Sequence, residues 1–411
     1  MRILVVGAGG VGAAFASIAA RRPVFTDIVL ADIDGGRAAR AAALADNERV
    51  RATRVDASDR ADIVELAATM HADIVVNACD PRLNPPIFDA AFDAGCHYLD
   101  MAMHMSVPHP TDPYNQIGTS LGDAQFAVSD QWVERGQLAL CAMGVEPGLS
   151  DVFARYASDH LFSRMDEVGV RDGGDLTITS ATGDSIGFAP TFSIWTTIEE
   201  CLNPPIIYER DRGWFTTAPF SEPERFVFPE GIGALGCVNV EHEEVILMPR
   251  WLDVGRVTFK YGLGDEFIDV LRTLHMLGLD STKPVMVRGV EVSPRDVVAA
   301  VLPNPAELGD RMRGRTCAGT LVRGLDLDGN PRESYLYQVV DNEWTMRTFG
   351  HHAVVWQTAV HPVVACELIA DGTWSGAGVM GPEAFSADPF LDLLPVHGVS
   401  WTLEERTPSL A

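Results

Sequence analysis

The first hundred residues of the chain alternate between short apolar runs and longer stretches that mix apolar and polar positions. The apolar runs predict β-strands at RILVVGA, DIVLADI, VRATRVD, ADIVVNAC and HYLDMA. The stretches between them predict helices at GGVGAAFASIAARR, GRAARAAALADN, RADIVELAATM and PPIFDAAFDAGC. Strands that alternate with helices of about ten residues indicate βαβ units and a parallel sheet. We therefore expect an α/β protein that begins with a doubly wound Rossmann sheet.

A sixth strand, QLALCAM, follows a loop at 104–122 that is rich in Pro, Ser, Thr and Gly, and a predicted helix, DAQFAVSDQWVERG. This strand runs into CAMGVEPGLSD, where Glu146 stands between two glycines just before the predicted helix LSDVFARYASDHL. Open parallel sheets bind ligands at the carboxyl ends of their strands. Glu146 is therefore predicted to lie at the ligand-binding edge, with capping of the following helix as the alternative.

The pattern becomes mixed beyond about residue 150. Strands are predicted at DLTITSAT, ERFVFPE, CVNVEHEEVILM and RVTFKYGL, and helices at DEFIDVLRTLHMLGL and SPRDVVAAVLP. The segment GTLVRGLDLDGNPRESYLYQVVD predicts a hairpin, and HHAVVWQTAVHPVVACELIADG predicts a helix that ends at Gly372. We expect a Rossmann domain at 1–145, an α+β domain at 146–345, and a C-terminal helix and tail at 346–411 that pack back on the Rossmann domain.

The net charge of −26 argues against nucleic acid and anionic membranes as partners. It suits a cationic substrate, and it equally suits an acidic surface that aids solubility. No apolar run reaches the roughly 18 residues of a membrane span, so no membrane contact is expected. The seven cysteines have no Cys-x-x-Cys spacing, which predicts neither a zinc site nor a disulfide framework. A reducing cytoplasm is the expected location.

The segment VVGAGGVG places Gly7, Gly9 and Gly12 directly after the first predicted strand and at the start of the first helix. In this spacing Gly7 permits a tight turn, Gly9 lets a pyrophosphate approach the backbone, and Gly12 lets helix and strand pack closely. Gly10 and Val11 begin the helix, whose free N–H groups bind phosphate. A tight turn without a ligand is the alternative, but the strand and helix favour a dinucleotide site.

An acidic residue ends the second predicted strand. Asp32, with Ile33 beside it, lies 20 residues after Gly12, where a carboxylate accepts hydrogen bonds from the adenosine ribose and repels a 2′-phosphate. This position favours NAD over NADP as the cofactor. Arg37 and Arg40 follow closely, however, and are near enough in sequence to bind a 2′-phosphate.

The ends of the third and fourth strands complete the predicted cofactor site. Asp56 and Ala57 follow the third strand on the adenine side, although Asp56 suits a helix N-cap equally well. Asn77, Ala78 and Cys79 end the fourth strand and should border the nicotinamide.

Four segments in this order, VVGAGGVG, VVNACDP, GCHYLDMA and GVEPGLSD, give the chain a resemblance to the saccharopine dehydrogenase family. The blocks VLPNPAELGDRMRGRTCAGTLVRG, SYLYQVVDNE and AVVWQTAVHPVVACELIADGTWSGAGV are similar to its carboxynorspermidine (carboxyspermidine) dehydrogenase branch. The resemblance implies an NAD(P)-dependent oxidoreductase that acts on a CH–NH bond of an amino acid or polyamine derivative. It also implies a homodimer, with the dimer contact on the second domain.

Two differences from that branch leave alternatives open. Asp32 stands where an NADP-dependent branch is expected to carry a small residue and an arginine, and VVDNEW replaces a Cys-Asp-His segment. An NAD-linked saccharopine- or lysine-type dehydrogenase is therefore a second hypothesis. A nicotinamide-binding sensor or scaffold without turnover is a third.

Forming or hydrolysing an imine requires proton transfer at a carbinolamine, for which a carboxylate, lysine or tyrosine serves. The predicted catalytic residues are Glu146, Asp100 at the end of the fifth strand, and Lys260. The predicted substrate contacts are Asp80, Glu146, Trp195 and Lys260. Structural hydrogen bonding for Asp100, a turn for Asp80, an exposed strand position for Lys260 and a core position for Trp195 are the alternatives.

A metal site is not expected. His351 and His352 are adjacent, but no carboxylate or cysteine stands at ligand spacing from them, and the start of a helix is the simpler interpretation.

Overall fold

The predicted alternation of strands and helices is present at the start of the computed structural model, which describes residues 1–179 and 189–408. The elements of this part are β1 (Arg2–Val6), α1 (Gly10–Ala19), β2 (Asp27–Asp32), α2 (Gly35–Leu44), β3 (Val50–Arg54), α3 (Arg60–Met70), β4 (Ile74–Asn77), α4 (Asn84–Ala94), β5 (His97–Asp100), α5 (Asp123–Phe126), α6 (Ser129–Glu134) and β6 (Leu138–Leu140).

The rest of the chain mixes strands and helices. Its elements are α7 (Leu149–His160), β7 (Phe162–Gly174), β8 (Thr177–Ile178), α8 (Ile194–Leu202), β9 (Ile206–Glu209), β10 (Gly213–Thr216), β11 (Glu224–Phe228), β12 (Gly233–Asn239), α9 (Glu244–Trp251), β13 (Arg256–Gly262), α10 (Asp265–Met276), β14 (Val285–Val287), β15 (Val290–Val292), α11 (Pro294–Val301), β16 (Met312–Arg313), β17 (Arg315–Asp326), β18 (Pro331–Asp341), α12 (Asn342–Phe349), α13 (Ala353–Ala370), β19 (Gly378–Met380), α14 (Asp388–Leu393) and β20 (Thr402–Arg406).

The first sheet has seven strands in the order β19-β6-β5-β4-β1-β2-β3, and its pairings are parallel. The strand order reverses between β1 and β4, which is where an open α/β sheet forms its ligand crevice. The predicted α/β class and Rossmann sheet are therefore confirmed. The glycine turn after β1 and residues 77–80 after β4 meet at this crevice.

A second, mixed sheet has nine strands, with β10-β9-β13-β7-β17-β18-β20 as its main path. The predicted α+β character of this part and its hairpin, β17–β18, are confirmed. Its central strand β7 was not predicted, because SRMDEVGVRDGG carries too many charged residues and glycines for an apolar strand pattern.

Two strand predictions in this part need correction. The run CVNVEHEEVILM is not one strand, since β12 ends at Asn239 and Glu244 begins helix α9. A short apolar run does not distinguish a buried strand from a buried helix, and residues 245–248 are wholly buried. The run DLTITSAT contributes only the two residues of β8, and its end lies outside the described residues.

The C-terminal segment returns to the first sheet. Helix α13 packs on α1, and β19 pairs with β6 at the sheet edge. The exact division at residues 145 and 345 stays a prediction. At 18 residues and a mean hydropathy of 1.4, α13 is long and apolar enough to span a membrane. From the sequence, no segment of the chain was predicted to reach that length. The helix is 78% buried within the protein, however, as a core helix would be.

Candidate functional site

The glycine turn after β1 has a geometry that side chains would disrupt at two positions. Gly7 has a φ of +104°, and a Cβ there would lie 2.6 Å from the Ala78 carbonyl oxygen. A Cβ on Gly12 would lie 1.9 Å from the Gly7 carbonyl oxygen. At Gly9, by contrast, a Cβ would meet nothing within 4 Å. The turn therefore has no room for a side chain at Gly7 or Gly12, but it is open at Gly9, where a pyrophosphate would approach.

Helix α1 offers a free N-terminus to such a ligand. Gly9 is its N-cap residue and supplies no side-chain hydrogen bond, and its first turn has no acidic residue. Gly10 and Val11 line the adjoining cavity. These features fit a phosphate group, since the N–H groups of the first turn need an acceptor.

Asp32 is buried at the end of β2 and supports the glycine turn. Its Oδ2 accepts a hydrogen bond from the Ala8 N–H at 2.9 Å, and its Oδ1 accepts one from the Asp34 N–H at 2.9 Å. The Arg37 guanidinium lies 3.5 Å from Oδ1. Ile33 is exposed at this edge. Asp32 thus has the predicted position, and Arg37 is beside it.

The predicted adenine-side residues lie at the surface. Asp56 Oδ1 accepts hydrogen bonds from the N–H and hydroxyl of Ser58, while the N-cap of α3 is Asp59 rather than Asp56. The helix-cap alternative for Asp56 is therefore wrong, because Asp59 accepts the N–H groups of the first helical turn. Ala57 is half-buried next to it.

The turn after β4 borders the cavity and is held by hydrogen bonds of the Asn77 side chain. The Asn77 side chain donates to Asn84 Oδ1 at 2.7 Å and accepts from the Cys79 N–H at 3.0 Å. Burial raises the pKa of the Cys79 thiol to about 12, so this thiol is not a nucleophile at neutral pH. Asn77, Ala78, Cys79 and Asp80 all line the cavity.

The cavity, of about 530 Å³, lies between the glycine turn and the second sheet. Five carboxylates line it: Asp80, Glu146, Asp172, Glu200 and Glu243. Among its described lining residues there is no lysine or arginine. Such a wall favours a ligand with positive charge, because each buried carboxylate needs a compensating partner.

Glu146 and Asp172 form a pair of carboxyl groups on this wall. Burial, and then the nearby Asp172 carboxylate, raise the pKa of Glu146 well above its usual range. Burial raises the pKa of Asp172 to about 6, and Tyr261 and Glu146 bond to it. Burial also raises the pKa of Glu200 to about 8. Near neutral pH this wall therefore holds both protonated and ionised acids.

His242, which the sequence prediction missed, is the basic group beside these acids. Its Nδ1 lies 2.5 Å from Glu244 Oε2 and 3.5 Å from Glu243 Oε2, and its ring stacks on Phe259 at 3.8 Å. Burial alone would lower the pKa of His242, but the carboxylates, led by Glu244, raise it to about 10. The imidazole is therefore a cation near neutral pH. The signal that could have identified His242 is the polar Glu-His-Glu-Glu segment inside an apolar run.

Of the other predicted residues, Asp80 reaches the cavity and Asp100 does not. Asp80 accepts bonds from Nε and Nη2 of Arg82 at 2.7 and 3.0 Å. Asp100 is 1% exposed and accepts from the Ala142 N–H at 2.6 Å and from Gln125 at 2.8 Å. The structure therefore gives Asp100 its alternative, structural hydrogen bonding that joins β5 to the end of β6.

Lys260 and Trp195 also lie outside the cavity wall. Lys260 is buried, not exposed as the alternative assumed, and its Nζ lies 2.9 Å from Glu224 Oε2. The guanidinium carbons of Arg82 and Arg295 lie 4.0 and 4.8 Å from the centroid of the Trp195 ring. Trp195 therefore contributes to the contact between the two parts of the chain, and neither residue is brought to Glu146.

Comparison with known proteins places this geometry in a family. Residues 3–140 match the model of the saccharopine dehydrogenase NADP binding domain, and residues 144–399 match that of the saccharopine dehydrogenase C-terminal domain. The chain belongs to the saccharopine dehydrogenase family. The sequence-based recognition is thereby confirmed, and the protein is an NAD(P)-dependent oxidoreductase of that family.

Individual relatives are similar to this chain over nearly its whole length. Carboxynorspermidine synthase of Vibrio cholerae is 29% identical over 99% of this chain and 98% of its own. Carboxyaminopropylagmatine dehydrogenase of Synechocystis is 28% identical over 97% and 96%, respectively. The structure of saccharopine dehydrogenase (L-Glu forming) from Saccharomyces cerevisiae has a TM-score of 0.70 at 13% identity, over 99% of this chain and 100% of that one. This last likeness shows a shared fold.

Proposed function

We propose that this protein reduces the imine formed between an amino-acid semialdehyde and a primary amine, and so makes a carboxylated secondary amine. The observation that carries this proposal is the acid-lined cavity directly beside the glycine turn. A hydride donor held at the turn would face a substrate whose ammonium groups the carboxylates attract. A saccharopine- or lysine-type substrate also has a C–N bond to reduce, and it becomes an outcome of the test below.

The names of the two curated relatives support the substrate class. Carboxynorspermidine and carboxyaminopropylagmatine share a carboxylated aminopropyl group attached to an amine. Reduction of an imine from aspartate β-semialdehyde and a primary amine would give that group. The amine part would carry at least one further positive charge, which suits a cavity with five carboxylates and, among its described lining residues, no lysine or arginine.

The residues on the cavity wall have separate roles in this proposal. Asp172, with a pKa of about 6, is the acid that binds the distal ammonium of the amine near neutral pH, and Glu200, with a pKa of about 8, joins it as the pH rises. Glu146 lines the cavity next to Asp172, and its carboxyl, with a pKa raised well above its usual range, bonds the reacting nitrogen as the protonated acid. His242 Nδ1 is held by Glu244, which leaves Nε2 to donate a proton to the carbinolamine hydroxyl.

The cofactor would be held by the glycine turn, the end of β2 and residues 77–79. When bound, the nicotinamide supplies the hydride that the reduction needs. We propose NAD as the preferred form because Asp32 is close to the expected ribose position. Arg37, 3.5 Å from Asp32, is the group that would favour NADP instead.

The test is absorbance at 340 nm with NADH or NADPH, aspartate β-semialdehyde and a panel of diamines, together with agmatine, a primary amine whose second cationic group is a guanidinium. We expect turnover with at least one diamine and none with monoamines of the same length. Activity only with lysine and a dicarboxylic oxo acid would support the saccharopine-type alternative. Tight cofactor binding without turnover on any pair would refute an enzymatic role and favour a sensor.

We further propose a cytoplasmic homodimer. Eight large apolar side chains are exposed between residues 276 and 301, among them Met276, Met286, Val290 and Val301. The two-stranded sheet β14–β15 lies among them with unpaired edges, and such edges need covering. Light scattering after size exclusion should give twice the chain mass, and Met286→Glu should give the monomer. A monomeric wild type would contradict the proposal.

A further inference from the structure

One group of the proposed substrate, the carboxylate of the semialdehyde, finds no arginine or lysine among the described residues of the cavity wall. Those two residue types are the common partners of a carboxylate, through charge-assisted hydrogen bonds. The His242 imidazolium is already paired with Glu243 and Glu244. The five carboxylates of the wall would repel another one. The substrate carboxylate therefore needs a separate place that offers N–H donors.

Helix α13 begins at this cavity. Its N-cap residue, His352, lines the wall together with Val354 and Val355 of the first turn. The helix has 18 residues and no acidic residue in its first turn. The positive end of its dipole is therefore not compensated by a charge within the helix, and an anion is favoured there.

Two N–H donors at the start of α13 have no acceptor among the described residues. The Ala353 N–H donates to Asn342 Oδ1 at 3.0 Å, and the Val355 N–H donates to His352 Nδ1 at 3.5 Å. The Val354 N–H between them has no acceptor in this part of the chain. His352 Nε2 has none either, although the residue is only 2% exposed. Because buried donors are almost always paired, these two indicate a ligand that supplies the acceptor.

The protonation state of His352 makes Nε2 a donor. Burial lowers the pKa of His352 to about 4, so the ring is uncharged near neutral pH and carries a single proton. Since Nδ1 accepts the Val355 N–H, that proton lies on Nε2. His352 therefore adds a side-chain N–H to the backbone N–H of Val354.

The next turn of α13 lies beside Glu146. A Cβ built on Gly144 would come within 3.6 Å of Thr358 Cγ2, and Glu146 follows Gly144 by two residues. Thr358 and Glu146 both line the cavity. One side of the carboxyl pair is therefore close to this helix.

The other side of the carboxyl pair is linked to the same turn. The Thr316 hydroxyl donates to Gln357 Oε1 at 2.6 Å. Thr316 pairs with Gly174 across β17 and β7, and Asp172 precedes Gly174 by two residues. The beginning of α13 thus borders the part of the cavity in which the reacting nitrogen is proposed to lie.

The chemistry of the semialdehyde matches this arrangement. In aspartate β-semialdehyde only a methylene and the α-carbon separate the aldehyde carbon from the carboxylate, so the carboxylate must bind close to the reacting carbon. The cofactor phosphates are the other anions that could use such donors. Helix α1, however, offers them its own N-terminus at the glycine turn.

We propose that the start of α13 binds the carboxylate of the semialdehyde, with the His352 Nε2–H and the Val354 N–H as its donors. This inference rests on the proposed function and adds to it the place of the acidic substrate. The two substrates are then recognised by opposite means, the amine by carboxylates and the semialdehyde by uncharged N–H groups.

The test is His352→Asn. Asparagine is a preferred N-cap residue, so the helix keeps its cap while the shorter side chain withdraws the donor. We expect the KM for aspartate β-semialdehyde to rise about tenfold or more, as for loss of a hydrogen bond to a charged group. The KM for the diamine should stay within about twofold. β-Aminopropionaldehyde, the same aldehyde without the carboxylate, should react equally well with wild type and variant.

His351→Asn is the matched control. His351 is also buried and its pKa is also lowered by burial to about 4, but its Nε2 lies 3.2 Å from Ser17 Oγ on α1, and it is not a lining residue of the cavity. This variant should lower thermal stability without changing the KM for the semialdehyde. If wild type turns over and His352→Asn keeps the wild-type KM, the site is refuted while the proposed function stands. Weaker NADH binding with an unchanged semialdehyde KM would assign the donors to a cofactor phosphate and overturn the proposal.

A second measurement does not depend on turnover. In calorimetry on the NADH-loaded protein, L-homoserine, which has an alcohol in place of the aldehyde, should bind more tightly than propanolamine, which lacks the carboxylate. His352→Asn should remove most of that difference. Equal binding of the two compounds to wild type would overturn the proposal even if no diamine supported turnover.

Discussion

A matched pair of glycine substitutions separates cofactor binding from folding in this site. Gly9→Ala places a methyl group where nothing lies within 4 Å, and Gly9 has a φ of −70° that alanine also adopts. Gly12→Ala places its methyl 1.9 Å from the Gly7 carbonyl oxygen. The first change therefore affects only a ligand at the turn, and the second affects the turn itself.

The expected magnitudes follow from these contacts. Gly9→Ala should leave stability unchanged or raise it by about 0.4–1 kcal/mol, because alanine has less freedom in the unfolded chain. Gly12→Ala should cost about 1–3 kcal/mol or more, as overpacking does. The turn cannot relax easily, since the Gly7 N–H donates to the Ala31 carbonyl at 2.8 Å. A methyl in the path of the pyrophosphate should weaken cofactor binding at least about tenfold, or about 1.4 kcal/mol.

Urea unfolding and NADH fluorescence titration measure both quantities on the same samples. We expect Gly9→Ala to be as stable as wild type and poor at binding, and Gly12→Ala to be less stable. Unchanged NADH affinity in Gly9→Ala would refute the position of the pyrophosphate. A large loss of stability in Gly9→Ala would refute the open geometry at that residue.

Three further predictions follow from the site. Asp32→Ala should reduce any preference for NADH over NADPH, and Arg37→Ala should lower kcat/KM with NADPH more than with NADH. Measuring kcat/KM with both cofactors checks this. An NADH/NADPH ratio that is unchanged in both variants would contradict the assignment. The diamine KM should fall as pH rises from about 6 to 8, because Asp172 and Glu200, with pKa values of about 6 and 8, become ionised and bind ammonium; a KM that rises over this range would be inconsistent with their role. The free energy of unfolding should fall from about pH 5 to pH 8, because acids with a raised pKa in the folded state keep protons that the unfolded chain has released. Asp100→Asn should flatten this slope, since the raised pKa of Asp100, about 7, corresponds to an effect on the order of 4 kcal/mol. Equal slopes in the two proteins would contradict this role of Asp100.

The Rossmann half was predictable from the sequence because most of its strands, β1, β2, β4 and β5 among them, are buried on both faces. β1 and β4 are almost wholly apolar, and the helices of 10 or 11 residues between successive strands are long enough for the crossovers that parallel strands need. The glycine turn and Asp32 were also local signals, set by spacing along a few residues.

The second domain was less predictable because its central strand violates the apolar pattern. β7 carries Arg171 and Asp172 into a buried sheet, and Arg171 is 1% exposed only because Glu224 pairs with it. Charged residues in a strand interior require partners that lie far away in sequence. The pattern along the chain does not contain those partners.

The candidate site was half predictable for the same reason. Glu146 and Asp80 follow strand ends of the first sheet, so position along the chain places them at the crevice. Asp172 reaches it from β7, Glu200 from α8 and His242 from the connection between β12 and α9. Lys260 illustrates the converse, since its rarity in the sequence suggested a function but the structure pairs it with Glu224.

The account rests on hydride transfer to a carbon bonded to nitrogen. The most direct measurement is mass spectrometry of the product made with NADH or NADPH deuterated at C4 of the nicotinamide, aspartate β-semialdehyde and the best diamine from the panel. The account predicts a carboxylated secondary amine with one deuterium on the carbon next to the new nitrogen. A product without that deuterium, or no secondary amine with any pair, would contradict it.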